Sequence, residues 1–102
     1  MDANGYIDSI IPGHDEYTCW LCKQNGRGKM DRHEVFHGIS NRHKSKHYGL
    51  WVNLCHEPCH ETIIHGGGED NERLQVVAQE YAMEYYGWTK DDFRMVFGKS
   101  FV

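Results

Sequence analysis

Four cysteines in two close pairs constrain this chain more than any other feature of it. They stand as Cys19-x2-Cys22 and Cys55-x3-Cys59, and His60 follows the last of them directly. Two thiolate pairs about thirty residues apart suit one tetrahedral zinc ion. The alternative, two disulfides, needs an oxidising compartment. The first residues, Met1-Asp-Ala-Asn-Gly-Tyr6, lack the basic-then-apolar pattern of an export signal. No apolar run approaches the length of a membrane span. The sequence therefore predicts a soluble, cytosolic protein with no membrane contact and one structural Zn2+. Its 102 residues amount to one domain. A core of that size is modest, so a metal staple would add usefully to stability.

The net charge of −4 argues mildly against a nucleic-acid partner, but the charges are unevenly spread. From Lys23 to His47 seven Lys or Arg face two acids, a net +5 with four histidines besides, and the remainder is net −9. A basic segment on an acidic body is either a phosphate footprint or a solvated loop that maintains solubility.

The local pattern predicts an N-terminal arm over 1–18 and a single domain over 19–102, with a helical C-terminal extension from about 70. Pro12-Gly13 marks a turn within the arm. Gln24 to Gly28, with Asn-Gly and a second glycine, is a flexible loop. Lys29 to Phe36 is a strand, Gly38 to His47 a basic loop, and Tyr48 to Leu54 a second strand, together a β-hairpin. A helix follows, with Pro58 in its first turn and Gly66-Gly67-Gly68 as its stop. Asp70 to Tyr86 is amphipathic, with Leu74, Val77, Ala78, Tyr81 and Tyr85 on one stripe. Thr89 caps a last short helix, Asp92 approximates its capping box, and Phe93, Val96 and Phe97 form its buried side. Tyr81, Tyr85, Trp88, Phe93, Phe97 and Phe101 are assigned to the core. The fold class is α+β.

The histidines nearest the cysteines carry the chemistry. If one zinc ties the two pairs together, the start of the helix is drawn towards the hairpin. His33 on the first strand and His60 on the helix then converge on one cleft. Two imidazoles with a carboxamide or carboxylate leave open positions on a divalent ion, which can polarise a phosphodiester. A nearby imidazole or carboxylate can deprotonate water. The plainer alternatives are a hydrogen-bonded strand histidine at His33 and a fourth zinc ligand, in place of Cys59, at His60.

At these residues the chain resembles the small HNH endonucleases, the ββα-metal nucleases, and in particular a zinc-knuckle subgroup common in bacteriophages. The motifs are Cys19-x2-Cys22, Arg32-His-Glu-Val-Phe-His-Gly38, Asn41-Arg42-x2-Ser45-x2-Tyr48-Gly-Leu50 and Leu54-Cys55-x3-Cys59-His60. The tail from Phe93 to Phe101 is similar as well. The resemblance implies a zinc-stapled hairpin and helix around one catalytic Mg2+ or Mn2+, acting on DNA in a bacterial host cell, in DNA processing for a phage or prophage. It implies that His60 binds the ion. His33 binds it or serves as base; if it binds, Glu34 falls at the base position, and His37 is a third candidate. Asn41, as the motif asparagine, orients the loop or binds metal, and Asn53 is its rival. Arg32, His37, Arg42, Lys44 and Lys46 are the candidate nucleic-acid contacts. His56, at i, i+4 from His60, is an exposed helix histidine or a ligand. His65 lies about 140° round an ideal helix from His60, so it joins the site only if the helix ends before Gly66. A phage or host protein partner and a homodimer are further implied options. The contrasting reading is a non-catalytic zinc module that binds nucleic acid or protein, or that is purely structural within a larger complex.

Overall fold

The computed structural model describes residues 1–24 and 28–102. The middle of the loop expected over Gln24 to Gly28 therefore lies outside the described residues. The fold is α+β, built on two antiparallel strands, β1 (Met30–Glu34) and β2 (Trp51–Cys55). Their register pairs Met30 with Cys55, Arg32 with Asn53, His33 with Val52 and Glu34 with Trp51. All five β2 residues are buried, so this strand runs through the centre of the core.

The strands are joined by a helix, α1 (Ile39–Tyr48), where the sequence predicts a basic loop. Gly38 precedes it, and Gly49, in the left-handed region at φ 72°, ends it by donating its N–H to the Lys46 and Ser45 carbonyls. Lys46 and His47 in the last turn suit the negative end of the helix. Its single buried residue is Ser45, whose Oγ donates to the Phe36 carbonyl (2.6 Å) and accepts from the Phe36 N–H (3.1 Å). A helix anchored by a serine has no apolar stripe to announce it.

After β2 the chain forms α2 (His56–Ile64), interrupted at Glu57, which is extended at φ −129°, ψ 138° and precedes a cis peptide bond to Pro58. Cys55 is also extended, so Cys55 and Cys59 are not two residues of one regular helix; the extra residue of the second cysteine pair is taken up by this break. The segment is wound with i→i+5 bonds, as in His65 N–H to the His60 carbonyl (3.1 Å).

Next come α3 (Glu69–Tyr86) and α4 (Lys90–Phe97). Both agree with the sequence pattern to within a residue, and Thr89 and Asp92 form the expected capping box. The buried stripe of α3 is Leu74, Ala78, Gln79 and Ala82, whereas Tyr81 and Tyr85 are exposed. Gln79 takes an inward position because its amide reaches the C-terminal tail, donating to Ser100 Oγ and accepting from the Phe101 N–H (2.6 Å). Trp88, Phe93, Phe97 and Phe101 pack on the core with Phe36, as expected.

The arm over 1–18 has no long strand of its own but is bonded to the domain. Ile7 and Ile10 N–H groups donate to the Lys46 and Gly49 carbonyls, Ser9 Oγ donates to the Trp51 carbonyl, and Ile11 is buried. Among the described residues no helix is long and apolar enough to cross a membrane.

Candidate metal centres

Cys19 and Cys22 stand on a turn tied to β2 by the Trp20 N–H, which donates to the Asn53 carbonyl (2.9 Å). Cys55 ends β2 and Cys59 lies on α2. All four thiols are unpaired, and their sulfurs lie within 4.8 Å of one another, with Cys22 and Cys55 at 4.0 Å. Thiolates about 2.3 Å from a tetrahedral zinc would be roughly 3.8 Å apart, so the spacing fits that ion. The four cysteines can therefore hold a structural metal such as zinc. Burial pushes the Cys59 thiol up, and the neighbouring thiols push it further; Cys55 is raised chiefly by burial. Burial also raises Cys19, but backbone N–H groups of Cys22, Cys55 and Leu21 outweigh it and bring that thiol down to about 7. A cation among them would favour the thiolate form of the raised pair, Cys55 and Cys59.

A second cluster forms between β1 and the end of α2. Successive strand residues point to opposite faces, so Asp31 and His33 share one face of β1. His33 is 4 % exposed, and its ring lies 5.2 Å from that of His60, 6.1 Å from His65 and 6.3 Å from His37. His60 and His65 are 4.3 Å apart. The wide winding of α2 explains this contact, because an i→i+5 ladder stacks residues five apart that an ordinary helix would splay. The helix ends at Ile64, before Gly66 as His65's joining requires, and the wide winding of its last turn sets His65 beside His60. One ring nitrogen of each of His33, His60 and His65 lies within 4.8 Å of the other two.

His33 Nε2 is buried without a hydrogen-bond partner, the one such side-chain atom among the described residues. Burial first, and then the fields of His60, His37 and His65, lower its pKa to about 3. At neutral pH it is an uncharged imidazole, with a lone pair that a metal ion could take. The cluster lines a cleft of about 550 Å³, together with Arg32, Glu34, His37 and Arg42.

The other nominated residues divide. Glu34 is nearly buried and held by Arg42 (3.3 Å). Tyr6 lies against it too; burial, then the Glu34 charge, push that phenol up to about 12. Arg32 pairs with Asp2 at 2.6 Å and lies over the Tyr6 and Trp51 rings. Lys46 lies over Tyr6 and donates to the Asn4 carbonyl. Lys44 turns away from the cleft and donates to the Val96 carbonyl (2.6 Å). Asn41 likewise donates to the Phe97 carbonyl (3.1 Å), and Asn53 faces His14. Neither asparagine joins the cluster of His33, His60 and His65.

Two carboxylates escaped the sequence reading. Asp31 Oδ2 lies 2.7 Å from Nδ1 of both His56 and His60, and Glu61 stands close to both rings. The signal was there as Asp-x-His on a strand and His-x3-His after it, but only the register aligns them. No protein-family model, curated protein or solved structure matches the chain.

Proposed function

We propose that this chain is a divalent-metal-dependent endonuclease of the HNH type, hydrolysing phosphodiester bonds in DNA, with one zinc at the four cysteines as its structural staple. The observation that carries the reading is the buried, unpartnered Nε2 of His33 beside His60 and His65 at a cleft edged by arginines. A core histidine in a purely structural role would be hydrogen-bonded, because an unmet buried polar group is costly.

His33, His60 and His65 would hold the catalytic ion. Bound there, the ion supplies positive charge to the phosphodiester and to the departing oxygen. Three imidazoles suit Mn2+ or another transition ion better than Mg2+, which prefers oxygen donors and retains water. Arg42 is well placed to hold a phosphate, since its side chain is 62 % exposed while anchored to Glu34. With His33 turned to the ion, His37, exposed at the same cleft, is the group free to take a proton from the attacking water. Glu34 is the weaker choice, because Arg42 and Tyr6 engage it. Asn41, bound to the end of α4, ties α1 to that helix and does not take the metal-binding role.

The test is nicking of supercoiled plasmid by zinc-loaded protein with Mn2+, Mg2+ or EDTA, for wild type, His33→Ala and His65→Ala. Nicking with Mn2+ that EDTA abolishes and both variants lose is the expected result. A folded, zinc-loaded wild type that fails to nick with every divalent ion refutes the reading and leaves the non-catalytic zinc module. Binding of DNA that survives both substitutions would identify that module as a nucleic-acid binder.

A further inference from the structure

We propose that Asp31 is a positioning residue that fixes the tautomer and ring orientation of His60, with His56 as the second arm of the clamp. The proposal rests on His60 being one of the ligands of the catalytic ion.

A carboxylate only accepts hydrogen bonds. With Asp31 Oδ2 at 2.7 Å from Nδ1 of His60, that nitrogen carries the hydrogen, and the lone pair of the neutral ring belongs to Nε2. Nε2 is then the nitrogen offered to an ion shared with His33 and His65. Asp31 and His60 are 15 % and 14 % exposed, so water screens the bond little. His56 donates to the same oxygen, also at 2.7 Å, a second bond that helps hold the carboxylate in place. Metal-bound histidines are commonly braced by a carboxylate in this way, because the brace sets ring direction and raises ligand basicity.

The same groups resemble a second metal site, since Asp31, His56, His60 and Glu61 offer ligand atoms within 4.8 Å of one another. The distances decide against it. Two donors on a tetrahedral zinc lie roughly 3.3 Å apart, given bonds of about 2.0 Å. Both Asp31 contacts are 2.7 Å, which is hydrogen-bond length, while Glu61 stands off at 3.8 and 4.0 Å.

The experiment uses the full chain, zinc-loaded and labelled with 15N. Long-range 15N–1H correlation spectra report the tautomer of each histidine, and electron paramagnetic resonance of free Mn2+ reports affinity. Wild type should show His60 with its hydrogen on Nδ1. Asp31→Ala should move it towards Nε2 and weaken Mn2+ binding by about 10- to 100-fold. Asp31→Asn, whose amide oxygen still accepts from Nδ1–H, should keep the tautomer and lose less affinity; it also stands in should the alanine variant fail to fold. His60 hydrogenated on Nε2 in wild type, or tautomer and affinity both unchanged in Asp31→Ala, would overturn the proposal. If the tautomer and Mn2+ affinity shift as described but wild type nicks no DNA, the positioning role stands and the nuclease reading falls. If wild type binds no Mn2+, the ion site falls, and the role of Asp31 in catalysis falls with it.

Discussion

Asn41→Ala separates a residue that organises the fold from one that acts on the ion or its phosphate. The side chain gives one hydrogen bond, at 3.1 Å, to the carbonyl of Phe97 at the end of α4. A neutral bond of this kind contributes about 0.5–1.5 kcal/mol net. Lys44 still holds the adjacent Val96 carbonyl at 2.6 Å, so the helix end keeps a partner and a matching charge. The middle of that range, about 1 kcal/mol, corresponds to roughly 4–8 °C in Tm for a domain of this size. Differential scanning calorimetry of the zinc-loaded protein measures the shift, and Mn2+-dependent nicking well below Tm measures activity. The expected outcome is the lower Tm with a nicking rate within about threefold of wild type, as for a surface change away from the chemistry. A Tm unchanged to about 1 °C with a rate at least about 100-fold lower would refute the reasoning, because that loss is the size of a missing catalytic group.

Cys59→Ser should lose the stoichiometric zinc seen by elemental analysis and melt well below wild type, as should wild type after chelation, since structural zinc contributes to folding; a variant that keeps both its zinc and its Tm would show that His60 or another group completes the site. Gly49→Ala should cost about 1–3 kcal/mol in urea unfolding, because the residue is left-handed at φ 72° and a Cβ would meet the Asp8 carbonyl oxygen at 2.5 Å; an unchanged midpoint would contradict the packing of the arm onto α1. The Asp2 carboxyl is held down to about 2 from 3.8, first by Arg32 and then by the Tyr6 N–H. Its folded pKa lies below its unfolded one, so the stability it adds is present above about 3.8 and is lost as pH falls through about 2. Carboxyl 13C titration should show that low value, and Arg32→Ala should return it towards 3.8; a titration unmoved by that change would remove Arg32 as the cause.

The elements visible in the sequence are those whose signal is local. The close cysteine pairs, the two strands, the long helix and the Thr89 capping box each declare themselves within a few residues. The helix α1 does not, because Ser45 takes the buried position that an apolar residue would mark. The stripe of α3 was displaced by Gln79, which is polar in sequence yet buried by two bonds to the tail. At the histidine cluster, His33 and His60 were legible from the cysteine bracket, but His65 depends on the wide winding of α2. Asp31 depends on strand register and on a helix placed over it from 25 and 29 residues away. Lys44 and Asn41 looked suited to phosphate or metal by residue type, and only the position of α4 reveals their partners.

A five-residue spacing recurs along the surface of α2. His60 meets His65, Thr62 Oγ1 donates to Glu57 at 2.6 Å, and Glu61 approaches His56 at 4.0 Å, each pair five apart. The latter two pairs straddle the break at Glu57, whereas His60 and His65 lie on the wide turn itself, so tightening that turn to an ordinary helix would part the two imidazoles. The spacing of histidines that serves this chain is therefore meaningful only in company with its backbone. A grafted His-x4-His on a regular helix would carry the letters of the site without its shape.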